Sequence, residues 1–179
     1  LSMGLPNSPM AGARLRTATG NFVAARPLGV LDGVDYQYTG AVRKVDAQAM
    51  RALLDDGFVI ILTPIGYSPT GEAWNASSPD VAAEAAIAIG ADKLICLVDS
   101  KGVTDAKGRT LHELPTANAA KLLAKKSLPT DLRRYVQASV RACENGVRRA
   151  HLVHRKLDGA LLRELFSRDG VGTLVTTEA

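Results

Sequence analysis

The sequence closes on Ala150-His151-Leu152-Val153-His154, then Arg155-Lys156, then Asp158 to Phe166, then Ser167-Arg168-Asp169-Gly170-Val171-Gly172-Thr173-Leu174-Val175. This segment reads as strand, helix, turn and strand. Asp158 is placed to cap a short helix, and Leu161, Leu162, Leu165 and Phe166 recur at helical spacing. That spacing predicts an inward apolar stripe with Glu164 pointing away from its middle. Near a helix C-terminus the macrodipole disfavours a carboxylate unless a cation offsets it. Gly170 and Gly172 follow, and glycine lets backbone approach a ligand closely. A carboxylate beside bare main-chain carbonyls suits a guanidinium or an ammonium group. The residues alone allow a second reading, a solvated Glu and two ordinary turn glycines.

Working outward, the preceding residues alternate between strand and helix. Asp46 is placed to cap a helix that carries Ala49, Met50, Leu53 and Leu54 inward and ends at Gly57. Phe58-Val59-Ile60-Ile61-Leu62 and Lys93 to Val98 read as strands buried on both faces. Between them lie a loop, Thr63 to Ser77, and a helix capped by Ser78 with Pro79 in its first position. Thr116 and Thr130 are read as caps of two further helices, the second stopping at Gly146. The first 45 residues differ: Arg14 to Thr17, Asn21 to Ala24, Val34 to Tyr38 and Ala41 to Val45 read as short strands between glycine turns. The order predicts an α/β fold of three layers, with a mainly parallel central sheet and N-terminal β-hairpins. No repeat or linker divides the 179 residues, so a single domain over 1–179 is expected.

Composition narrows the function classes. Apolar content of 46% argues against disorder. No apolar run reaches membrane-spanning length, and Leu1-Ser2-Met3-Gly4 does not read as a signal peptide. Cys96 and Cys143 read as reduced core thiols, and a cytoplasmic location is expected. The net charge of +4 is spread over pairs such as Arg133-Arg134 and Arg148-Arg149 with few aromatics between them. Solvated surface explains that pattern better than nucleic-acid binding, which concentrates charge on one face or interleaves stacking rings. His151 and His154 point to opposite sides of one strand, and no cysteine or carboxylate cluster joins them, so no metal is expected. His112 lies in a polar loop, and Trp74 is expected to pack the loop over Asp80.

His151, Glu164, Gly170, Gly172 and Thr173 resemble the C-terminal signature of the amino-acid kinase fold in its arginine-pathway branch. Leu5-Pro6-Asn7-Ser8-Pro9-Met10-Ala11-Gly12, Gly20 to Pro27 and Asp35-Tyr36-Gln37-Tyr38-Thr39-Gly40 resemble the N-acetylglutamate synthases rather than the acetylglutamate kinases. The resemblance covers essentially the whole chain. It implies a kinase-like regulatory and oligomerisation domain that binds L-arginine as feedback inhibitor. Its arginine site would use His151, Glu164, Gly170 and Gly172. It also implies that acetyl transfer from acetyl-CoA to L-glutamate belongs to a separate acetyltransferase domain expected after Ala179, so no cofactor is expected within these residues. Expected partners are L-arginine, that acetyltransferase domain and further copies of the chain, with neither nucleic acid nor membrane.

Three positions match the catalytic machinery of the kinases and read as vestigial: Asp80, Asp99 and Tyr135. Asp80 resembles the aspartate that organises two catalytic lysines. Equally, an acidic residue in a first helical turn is favourable by itself. Asp99 begins a loop, Asp99-Ser100-Lys101-Gly102-Val103, that resembles the nucleotide-side loop. Tyr135 occupies the place of a lysine, and a phenol supplies no fixed positive charge to a transferring phosphoryl group. The glycine-rich phosphate loop of the kinases would fall ahead of Leu1. Two alternatives remain beside the regulatory reading, an active acetylglutamate kinase and a purely structural scaffold.

Overall fold

The structure is a computed structural model, and it describes residues 15–125, 128–167 and 170–177. Leu5 to Gly12 of the synthase-like resemblance, Arg14, and Arg168 and Asp169 of the terminal stretch lie outside these residues. The chain divides between Ile89 and Gly90 into two compact units.

The first unit contains β1 (Thr17–Ala18), β2 (Val23–Pro27), β3 (Val30–Leu31), β4 (Val34–Asp35), β5 (Gly40–Val45), helix α1 (Ala47–Asp55), β6 (Val59–Ile60), β7 (Ile65–Tyr67), β8 (Ala73–Asn75) and helix α2 (Ser78–Ile89). Its main sheet has the order β5-β2-β7-β8. The expected N-terminal hairpins are present as β3–β4 and the antiparallel β2–β5 pair. Phe22, Val45, Met50 and Ala85 form the centre of its core. Asp46 caps α1, its carboxylate accepting from Ala49 N at 3.0 Å. Met50 points inward as expected, whereas Leu54 is exposed because it falls past the edge of the stripe. The apolar run 58–62 is a strand only at Val59–Ile60, pairing with β1 alone, and Val59 and Ile61 are exposed. The interval 63–77, read as loop, folds into the β7–β8 hairpin, where Trp74 packs over Gly40 so closely that a Cβ there would lie 2.6 Å from its own Cβ.

The second unit contains β9 (Lys93–Val98), β10 (Glu113–Pro115), helices α3 (Thr116–Ala124) and α4 (Thr130–Glu144), β11 (Arg149–His154), helix α5 (Ala160–Phe166) and β12 (Thr173–Thr176). Its sheet order is β10-β12-β11-β9, with β12 antiparallel to β11 and the other two pairings parallel. This is an α/β architecture with mixed sheets. β11 is buried from Ala150 to Val153; α4 packs against β9, β11 and β12, and α5 against β11. β9 alternates instead of being buried throughout: Leu94, Cys96 and Val98 are buried and Leu97 is exposed, so only one of its faces is covered.

Three helix starts differ from expectation, and none of them has a side-chain cap. Thr116 and Thr130 are the first helical residues, and the caps are Pro115 and Pro129, whose fixed φ prepares the turn without a side-chain bond. α5 starts at Ala160, so its cap is Gly159 at φ 65° instead of Asp158, again without a side-chain bond.

Candidate functional site

The terminal stretch folds so that α5 turns its charged residue inward. Ala160 and Glu164, four residues apart, form the buried side of this seven-residue helix. Leu161, Leu162 and Phe166 face solvent, Phe166 with 83% of its surface exposed. The expected orientation is therefore reversed. Periodicity identifies two faces but not which one packs, and here the carboxylate finds better partners inside than the leucines do.

Those partners are specific. Glu164 Oε1 lies 2.8 Å from His151 Nδ1, and the pair is buried. Glu164 Oε2 accepts from the backbone N–H of Val171 at 2.6 Å and of Gly172 at 2.9 Å. Burial pushes the Glu164 carboxyl up, but the bonds from His151, Val171 and Gly172 outweigh that effect and hold it below the usual carboxylate range. The carboxylate near the helix terminus is thus offset by the His151 ring first and by two backbone amides after it. An ionised carboxylate has no proton to give, so His151 Nδ1–H donates to it. The other ring nitrogen, Nε2, is buried without a hydrogen-bond partner. In the neutral ring that atom is an acceptor with nothing to accept from.

The glycines set how tightly the turn closes. Gly170 has φ 59°, and a Cβ there would come within 2.7 Å of Glu164 Oε2. A Cβ at Gly172 would run into the carbonyl oxygen of Leu152 on β11. The structure thus brings His151, Glu164, Gly170 and Gly172 together in one corner. Val171 belongs to the corner through its main-chain N–H, which no side-chain pattern could reveal.

The positions read as vestigial are not part of it. Asp99 accepts from Arg155 Nε at 2.7 Å, with Lys156 Nζ at 3.9 Å. Tyr135 is half-buried on α4, and Asp80 lies in the first turn of α2. His154 sits beside the Val98 carbonyl at 3.3 Å. His112 is exposed, and its main-chain carbonyl accepts from Leu174 N. No group of three His, Cys, Asp or Glu among the described residues is arranged to hold a metal. No helix among them is long and apolar enough to cross a membrane.

A sequence profile of the Amino acid kinase family matches residues 1–154. The chain belongs to this family. It is 47% identical over 98% of its length to an amino-acid acetyltransferase of Ralstonia nicotianae and 49% identical over 99% to one of Pseudomonas putida. It spans about two fifths of those relatives, 39% and 41% respectively. The crystal structure of N-acetylglutamate synthase from Neisseria gonorrhoeae complexed with coenzyme A and L-arginine superposes with a TM-score of 0.90 at 34% identity. That match covers 99% of this chain and 42% of the Neisseria chain. The α/β fold expected from the sequence is therefore that of the amino acid kinase family.

Proposed function

We propose that this chain is the kinase-like regulatory part of an N-acetylglutamate synthase and that the His151–Glu164 corner binds L-arginine. The whole protein would transfer the acetyl group of acetyl-CoA to L-glutamate, with the transfer itself carried by an acetyltransferase part of the same polypeptide. The names of the relatives and the ligands of the Neisseria synthase support this reading.

The observation that carries the arginine assignment is a buried anion beside a buried, unpartnered acceptor. Oε2 of Glu164 already accepts two N–H groups, whereas among the described residues Oε1 accepts only from His151 and retains a lone pair. His151 Nε2, an acceptor in the neutral ring, is also without a partner among the described residues. The open lone pair of this buried carboxylate suits one arm of a forked cationic donor. A guanidinium presents such a fork, while an ammonium matches it less well. Gly170 lets the turn close on Oε2, where a Cβ would come within 2.7 Å of that oxygen.

Self-association belongs to the same reading. Val30, Leu31 and Val34 of the β3–β4 hairpin are all exposed, and an isolated two-stranded ribbon is marginal alone. A second copy would cover it.

The test is inhibition by L-arginine in the full-length enzyme. Replacing Glu164 by Gln should raise the inhibitory concentration on the order of tenfold to a hundredfold, as expected for loss of one charge-assisted contact. Undiminished arginine sensitivity in both Glu164→Gln and His151→Ala, with acetyl transfer intact, would place the effector site elsewhere.

A further inference from the structure

The last residue of the turn and the first of β12 are tied in two directions. Gly172 gives its N–H to Glu164. Thr173, next in the chain and fully buried, uses its hydroxyl oxygen to accept the backbone N–H of Val103 at 2.9 Å. Val103 lies 70 residues away in sequence and is fully buried as well. Gly102 makes the contact possible. Its φ is +112°, and a Cβ there would collide with the Thr173 hydroxyl oxygen, so a side chain would push the two segments apart.

The loop Asp99–Val103 is therefore hung from the elements that build the arginine corner. At one end Asp99 is held by Arg155 and Lys156, in the turn that follows the His151 strand. At the other end Val103 is held by Thr173, one residue beyond the Glu164-bound turn. Within the loop, Ser100 Oγ donates to the Gly102 carbonyl at 3.1 Å. The Val103 carbonyl is occupied by Leu111 N at 2.8 Å, and Leu174 N binds the His112 carbonyl, so both sides of the contact are braced. The loop exposes Asp99 and Lys101.

We infer that Thr173 is a positioning residue whose hydroxyl couples occupancy of the His151–Glu164 corner to the order of the Asp99–Val103 loop. The inference rests on the arginine reading above. A cation bound at Glu164 restricts the turn 170–172. The hydroxyl of the next residue then restrains Gly102 and Val103, with no ligand contact to the loop. Coupling of this kind travels as a change in local opening and is read by amide exchange.

The experiment is hydrogen–deuterium exchange on the full-length enzyme with and without L-arginine, with binding measured separately by calorimetry. In the wild type, arginine should slow exchange in peptides covering 101–104 by roughly fivefold or more, the lower end of ordinary coupling between sites. Thr173→Val should still bind arginine but lose that protection, and Thr173→Ser, which keeps the hydroxyl, should restore it. A purely structural role would raise exchange in the loop equally with and without arginine, and that result overturns the coupling. Arginine binding to wild type without protection of 101–104 overturns it too, and needs no variant to fold. Absence of arginine binding to wild type would instead defeat the effector reading and the coupling together.

Discussion

His151 Nδ1 and Glu164 Oε1 meet at 2.8 Å across 13 residues of sequence, joining the central strand β11 to the short helix α5. The bond fixes the imidazole with Nδ1–H toward the carboxylate and leaves Nε2 buried on the far side of the ring. It also anchors a helix of seven residues, too short to persist in water by itself. The hold of α5 on β11 therefore depends on these two side chains.

Glu164→Gln should separate charge from shape. The amide retains one carbonyl that can accept, but its NH2 accepts nothing, so either His151 or the turn loses its acceptor. We expect a loss of stability of about 1–3 kcal/mol, the range for a buried polar group left badly paired. Urea unfolding of wild type and variant at neutral pH measures it. A variant as stable as wild type would mean that the carboxylate contributes little to holding α5.

The acid limb of stability follows from the sign of the Glu164 shift. Its carboxyl ionises more readily in the folded chain than in the unfolded one, where its ordinary value is 4.5. Ionised Glu164 therefore contributes stability that is fully present above about pH 4.5 and is lost as pH falls through the lower folded value. Glu164→Gln removes this component. The stability gap between wild type and variant should be constant from neutral pH down to that region and then close on further acidification. A gap unchanged at the acid end would contradict the assignment.

Gly172→Ala should be more damaging than Gly170→Ala. At Gly172 the new Cβ meets the main-chain carbonyl of Leu152, which cannot move without disturbing the β11–β12 pairing. At Gly170 it meets the carboxylate end of Glu164, a side chain able to shift, at the cost of a left-handed φ on a non-glycine residue. About 1–3 kcal/mol is expected for overpacking at position 172. At position 170 arginine affinity should fall further than thermal stability does. Melting temperature and calorimetric affinity, compared for the two variants, check this order.

The cysteines should be inert in the folded protein. Both are free and buried. Burial pushes the Cys96 thiol up to about 11, and burial raises Cys143 as well. Thiolate is the reactive form, so Ellman's reagent at neutral pH should label neither residue until denaturant is added. Rapid modification of either thiol under native conditions would contradict the packing described for β9 and α4.

Legibility in the sequence was uneven, for physical reasons. The Asp46 cap was legible because a cap is a local contact between residues three apart. The strands at Leu94, at Ala150 to Val153 and at Thr173 to Val175 were legible because their residues must be apolar wherever helices cover them. The members of the corner could be picked out as residue types, yet their arrangement was not readable. Glu164 is buried because two main-chain N–H groups and an imidazole await it, and backbone donors leave no trace in side-chain patterns. For the same reason Val171 went unseen. The run 58–62 shows the converse: apolar residues specify a strand only where a neighbouring strand accepts them, and β6 finds one partner.

The antiparallel turn from β11 through α5 to β12 carries a kinetic consequence. His151, Glu164, Gly170 and Gly172 all fall inside the single segment from Arg149 to Thr176, so their mutual contacts close short loops. The β9–β11 pairing, by contrast, joins Lys93 to Arg149 across the whole intervening chain. Low contact order favours early formation. Amide protection in pulse-labelled refolding should therefore rise across β11 and β12 before it rises in β9, so that the corner assembles ahead of the rest of its own sheet.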